Sequence, residues 1–86
     1  MKPIFSEKSW QEYTEWQSQD KKTLKRINEL IKDIQRSGFN EGIGKPEPLK
    51  HKGSWSRRID DFNRFVYNVN ENRDLEIISC KGHYGS

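Results

Sequence analysis

An 86-residue, 10.3 kDa chain has room for one domain with a thin stability margin, and nothing in it resembles a second unit. Its 30% apolar and 34% charged residues come close to a disordered composition, but 12% aromatic residues supply the ring area for a small core, which a partner is placed to reinforce. The net charge is a modest +3, no run nears the roughly 20 apolar residues that span a bilayer, and the single cysteine excludes an internal disulfide.

Met1-Lys2-Pro3-Ile4-Phe5 is not a signal peptide, so a soluble cytoplasmic protein is expected, with Cys80 a small buried hydrophobe. Lys2 to Phe5 reads as a short first strand, and Pro3 puts it at a sheet edge or a strand start. Ser6 is positioned to cap a helix whose apolar residues Trp10, Tyr13 and Trp16 recur every three residues. Asp20 is a second cap. It precedes Leu24, Ile27, Leu30, Ile31 and Ile34, a helical stripe that ends at Gly38. The two helices are expected to form a hairpin whose apolar faces cover a sheet.

From Trp55 the period changes to two. Trp55 to Asp60, Arg64 to Val69 and Leu75 to Lys81 read as strands, joined by turns around Asp61-Phe62 and Asn70-Glu71-Asn72. A three-residue turn from Asp60 to Phe62 sets Ile59 opposite Asn63 and Arg58 opposite Arg64. It directs Trp55, Ile59, Phe65, Tyr67 and Val69 to the core and both arginines to the exposed face. A two-residue turn splits the arginines between faces and sends one into a small core, a desolvation cost that decides for the longer turn.

Between Lys45 and Arg58, five cations (Lys45, Lys50, Lys52, Arg57 and Arg58) stand against one acid, Glu47. Such local basicity points to a polyanion, although a solvated loop is the plainer explanation. Arg58 and Arg64 placed opposite one another repel by about 0.5 kcal/mol. Either Glu76 or Asp60 supplies a carboxylate, or the absent partner is a phosphate, which the planar arginine fork grips with two hydrogen bonds. Glu47 lies between Pro46 and Pro48 on a stiff segment that limits its carboxylate's freedom, and Lys50 is either its charge partner or a phosphate contact.

His83 and Tyr84 follow the last strand, which is able to carry them to the exposed face. An imidazole, with a reference pKa of about 6.5, suits proton donation there, and Tyr84 offers a ring for base stacking and a hydroxyl. A solvated terminal histidine beside Gly82 is the plainer alternative. His51 is a second candidate acid, though Lys50 and Lys52 beside it favour a contact role. A carboxylate, several cations and an imidazole are the inventory for taking a proton from an RNA 2′-hydroxyl, neutralising a phosphate and protonating a leaving oxygen. No metal-ligand spacing, glycine-rich phosphate loop or Ser-His-Asp order appears, so neither a metal nor another cofactor is expected.

The segments Ser6-Glu7-Lys8-Ser9-Trp10, Ile27 to Asp33, Gly44 to His51, Trp55-Ser56-Arg57-Arg58-Ile59 and His83-Tyr84 together resemble the YoeB toxins of the RelE/ParE superfamily. The resemblance runs nearly end to end. It implies an α+β, RelE-like fold: one N-terminal strand, a two-helix hairpin, then antiparallel strands forming one twisted sheet. It further implies a single toxin domain over residues 1–84, with 85–86 an appended tail past the usual His-Tyr terminus. The loop between His51 and Trp55 is shorter than in family relatives.

The implied function is the toxin of a type II toxin–antitoxin system, a ribosome-dependent endoribonuclease that cuts mRNA in the A site without metal. By position, Glu47 matches the general base, His83 the general acid and Arg64 the arginine that stabilises the transition state. Arg58 matches a phosphate contact, Tyr84 the terminal aromatic and Lys50 a basic position lining the site; His51 joins them as a substrate contact. The implied partners are a YefM/Phd-family antitoxin, the ribosome with its RNA, the mRNA and a second copy of the chain. Operator DNA is met only through the antitoxin, and no membrane is involved. The alternatives are a ParE-like, gyrase-inhibiting toxin on the same fold and a non-catalytic RNA-binding module.

Overall fold

The computed structural model describes residues 1–50 and 53–82. Strand β1 (Pro3–Phe5) leads into helix α1 (Glu7–Gln19) and helix α2 (Lys21–Ser37), followed by β2 (Glu47–Pro48), β3 (Ser54–Arg58), β4 (Arg64–Val69) and β5 (Leu75–Ser79). The sheet order is β1-β5-β4-β3-β2, with β1 parallel to β5 and every other pair antiparallel. The two helices allow that parallel pairing, because a crossover connection returns the chain to the same end of the sheet.

Each helix starts where its cap predicts. The Ser6 hydroxyl accepts from the Ser9 N–H at 3.0 Å. Asp20 serves both helices: its own N–H closes α1 on the Trp16 carbonyl, and its carboxylate accepts from the Lys22 and Thr23 N–H groups that open α2. Ile27, Leu30 and Ile34 of α2 are fully buried against Phe65, Tyr67, Leu75 and Ile77 of the sheet, and Cys80 joins them. Burial pushes the Cys80 thiol up to about 12, as expected for a packing residue.

Helix α1 is bound to β5 by polar side chains on one stripe. Ser9 Oγ donates to the Ile77 carbonyl at 2.7 Å, Glu12 Oε1 accepts from the Cys80 N–H at 2.8 Å, and Trp16 Nε1 donates to the Cys80 carbonyl at 2.9 Å. The three-residue β1 ends its ladder opposite Ile77. Beyond that point α1 takes the place of a neighbouring strand and satisfies backbone groups otherwise stranded in the core. An irregular register between Val66 and Tyr67 occurs in the same stretch.

The turn between β3 and β4 has the three-residue form. Arg58 pairs with Arg64, and the Ile59 N–H bonds the Asn63 carbonyl at 3.0 Å. Phe65, Tyr67 and Ile59 are buried and Trp55 packs on the core, as the alternation requires, whereas Val69, also expected there, is only half-buried and Val66 of the opposite face is buried as well.

Two expectations need correction. The short strand β2 was not evident in sequence, where Pro46-Glu47-Pro48 reads only as an extended linker. An arginine does occupy the core: Arg57, one residue before Arg58 and so on the opposite face, has no exposed surface. Its cost is met by an ion pair 2.7 Å long with Asp33 of α2 and by hydrogen bonds for all five of its N–H groups. The objection to a buried arginine therefore holds for Arg58 and Arg64, which have no such set of acceptors, and not for their neighbour.

Candidate active site

Glu47 reaches the site through a two-residue strand at the sheet edge. It pairs with Ser56, and Leu49 N–H bonds the Ser54 carbonyl at 2.9 Å. Ladder bonds alternate along an antiparallel pair, so Glu47 turns its backbone toward β3 while Pro48 turns its own outward. Proline without an N–H is tolerated in that outward position. Residues directly opposite share a face, so Glu47 lies on the face of Ser56 and, two residues along β3, of Arg58. Such a diagonal spacing is about 7–8 Å between Cα atoms, within reach of long side chains.

Arg58 and Arg64 form the close kind of cross-strand pair. The Arg58 N–H points away from β4 to the Gly44 carbonyl at 2.7 Å, and the Arg64 N–H points away from β3 to the Gly82 carbonyl at 2.9 Å. Neither is spent on the other strand, which is the non-hydrogen-bonded geometry with Cα atoms about 4.5 Å apart. Two arginine side chains thus leave one face from adjacent backbone positions.

Neither of the carboxylates considered from the sequence forms an ion pair with either arginine. The Asp60 carboxylate accepts from the Phe62 and Asn63 N–H groups and the Asn63 amide, and Glu76 accepts from Asn70. Arg64 instead donates to two backbone carbonyls, Asp60 at 2.8 Å and Asn63 at 3.2 Å. Burial works to raise the Asp60 carboxyl, but its hydrogen bonds and the nearby Arg64 charge outweigh this and leave it below its ordinary value. Among the described residues neither Arg58 nor Arg64 forms an ion pair. Arg58 is exposed, whereas Arg64 is half-buried and not fully exposed as its face assignment suggested.

The strand registers put Glu47, Arg58 and Arg64 on one face, and Lys50 follows in the loop that leads to β3. That residue is exposed at the bend after β2, three positions beyond Glu47. The end of the described chain is tied to the site: Gly82 accepts from the Arg64 N–H and donates its own N–H to Asn63 Oδ1 at 2.8 Å. His83, which follows it directly in the chain, and Tyr84 and His51 lie outside the described residues. Among the described residues, one hollow lies beside Asp20, Thr23, Arg26, Ile59 and Asp60, next to the β3–β4 turn, and a small one lies beside Phe39, Gly53, Trp55 and Val69.

Sequence reasoning missed the support behind this face. Arg57 Nη1 bonds Asp33 Oδ2 at 2.7 Å and the Ile43 carbonyl at 3.0 Å, while Nη2 bonds the carbonyls of Gly38, at 2.9 Å, and Glu41. Nε donates to the Tyr67 hydroxyl at 3.1 Å, which in turn donates to the Phe39 carbonyl. Burial opposes ionisation of Asp33, but hydrogen bonds from Arg36, Arg57 and the Ile43 N–H, with the Arg57 charge, hold its carboxyl below the ordinary value. One signal was available: Asp33 interrupts the apolar stripe of α2, where an acid is expected only with a buried partner.

Comparison with known proteins agrees with this architecture. A profile described as the YoeB-like toxin of bacterial type II toxin–antitoxin systems matches residues 5–84. Toxin YoeB of Escherichia coli strain K12 is 55% identical over 86 residues, spanning 98% of this chain and 100% of the relative. A YoeB dimer structure from Staphylococcus aureus superimposes with a TM-score of 0.91 at 46% identity, covering 98% of each chain. A heterotetrameric YoeB–YefM toxin–antitoxin complex from Staphylococcus aureus gives 0.88 at 48% identity, again over 98% of each chain.

Proposed function

The chain belongs to the YoeB-like toxins of bacterial type II toxin–antitoxin systems, and from that premise we propose that it is a ribosome-dependent endoribonuclease acting on mRNA in the A site. The observation that carries this reading is the Arg58–Arg64 pair, locked opposite one another on the Glu47 face without a carboxylate partner among the described residues. Two adjacent guanidinium groups suit a phosphate whose charge grows as it becomes five-coordinate.

Glu47 accepts the proton of the substrate's own 2′-hydroxyl, and the 2′-oxygen attacks the adjacent phosphorus. Arg58 and Arg64 take the developing charge on the non-bridging oxygens. His83 gives its proton to the departing 5′-oxygen, so the products are a 2′,3′-cyclic phosphate and a 5′-hydroxyl. Tyr84, Lys50 and His51 contact the substrate. A YefM-type antitoxin and a second copy of the chain are the proposed protein partners, by likeness to the Staphylococcus aureus assemblies.

Product-end analysis on programmed ribosomes tests the proposal. A single cut in the A-site codon with those two end groups is expected from the wild type and not from Glu47→Ala. Uncut transcripts with accumulating DNA breaks would point to a gyrase inhibitor instead.

A further inference from the structure

Three backbone carbonyls of the loop between α2 and β2 converge on the buried Arg57, and a fourth on its partner Tyr67. Arg57 and its hydroxyl partner Tyr67 together hold the carbonyls of Gly38, Phe39, Glu41 and Ile43, and Asp33 holds the Ile43 N–H at 2.9 Å. The fit is tight. A Cβ on Gly42 would stand 1.9 Å from Asp33 Oδ2, and one on Gly44 would stand 2.9 Å from Leu30 Cδ2 and 3.2 Å from the Arg58 carbonyl. Both glycines also have positive φ, 118° and 81°.

We propose that Arg57, with Asp33 and Tyr67, is a positioning device for the catalytic face: it fixes the loop path that delivers Glu47 beside Arg58 and Arg64. The inference rests on the reading of that face given above. Stability alone is a weak reason to bury an arginine in an 86-residue domain, because apolar replacements of buried ion pairs are often neutral or stabilising. A device that selects one loop path is a better account. The loop leaves the cluster at Gly44, whose carbonyl holds the Arg58 N–H at 2.7 Å, and three residues later Glu47 pairs with Ser56. Arg57 and Arg58 are consecutive in a strand and face opposite ways, so burying the first aims the second outward.

The cluster is open to perturbation from both sides. Tyr67→Phe keeps the ring in the core and removes the hydroxyl that links Arg57 to Phe39. Gly42→Ala leaves every core side chain in place and pushes the loop off Asp33. On programmed ribosomes, each is expected to lower kcat by about 10- to 100-fold with KM little changed, since displacements of an ångström at a reacting group have effects of that size. Hydrogen exchange should show the Ile43 and Arg58 amides losing protection while α1 and β5 keep theirs.

Ile27→Val, which lowers thermal stability from the far side of the core, is the control and should retain kcat when measured well below its melting temperature. The inference is overturned if kcat tracks thermal stability across all three variants, or if the loop loses protection with kcat unchanged. A wild type that cuts nothing removes the reading of the face and this inference with it. A cutting wild type with unimpaired variants removes the inference alone.

Discussion

Two charged residues, Arg64 and Asp33, illustrate how environment decides what a side chain does. Arg64 was expected to be free on an exposed face, and its half-burial and two carbonyl contacts add a structural share to its role. Arg64→Ala should therefore cost about 1 kcal/mol of stability, more than a bare surface truncation. Cleavage should fall on the order of 10²- to 10³-fold, the usual loss for a transition-state donor. Denaturation and single-turnover rates on the same preparation separate the two; a variant largely unfolded at the assay temperature would make Arg64 structural.

Asp33 has the opposite balance. Removing it leaves the Arg57 charge buried alone at a cost of about 3–5 kcal/mol, a large share of the roughly 4–13 kcal/mol such a domain holds. Because its folded pKa is depressed, its contribution is complete above the unfolded value of 3.8 and declines as pH falls through the folded one. Asp33→Asn should thus be less stable than wild type at neutral pH, with the gap narrowing in strong acid. Asp20 and Asp60 are lowered in the same direction, so the variant also loses some stability in acid. Urea midpoints from pH 7 down to about 2 provide the measurement.

At the level of elements, the helices were legible and parts of the sheet were not. Ser6, Asp20 and Gly38 mark helix ends by local chemistry that operates wherever the rest of the chain goes. The β3–β4 register was also legible, because a one-residue slip misplaces a whole face. Strand β2 has two residues beside proline and shows no period, so only its partner β3 reveals it. The Arg57–Asp33 pair spans 24 positions and belongs to the tertiary fold, which explains why one face of the site could be drawn and its support could not. The α1–β5 staple is of the same kind. Glu12→Ala leaves the Cys80 N–H unpaired in the core and should cost about 1–3 kcal/mol, whereas Glu12→Gln keeps an acceptor and should restore most of it. Faster exchange of the Cys80 amide in the alanine variant alone would confirm the pairing; equal losses in both variants would mean that the carboxylate charge matters more than the bond.

For the molecule as a whole, a small core and an open basic face point to the same dependence on a partner. Of the five cations that stand against one acid between Lys45 and Arg58, Arg57 is buried on Asp33 and adds nothing to that face, but the Arg58–Arg64 pair gains no ionic partner among the described residues. If the proposed antitoxin covers this face, an acidic segment that folds on binding supplies the missing carboxylates, at an ordering cost of a few kcal/mol. Any partner that binds only the folded form adds stability by mass action, about 4 kcal/mol at a free concentration 1,000 times its Kd. For a domain of this size that corresponds to a rise of roughly 15–30 °C in melting temperature. The rise should grow with antitoxin concentration, shrink as salt screens the face, and be smaller for Arg58→Ala than for wild type at equal concentration. Calorimetry across a concentration and salt series provides the check. A shift that ignores salt and is the same in Arg58→Ala would put the antitoxin on the helices and leave the arginine face open in the complex.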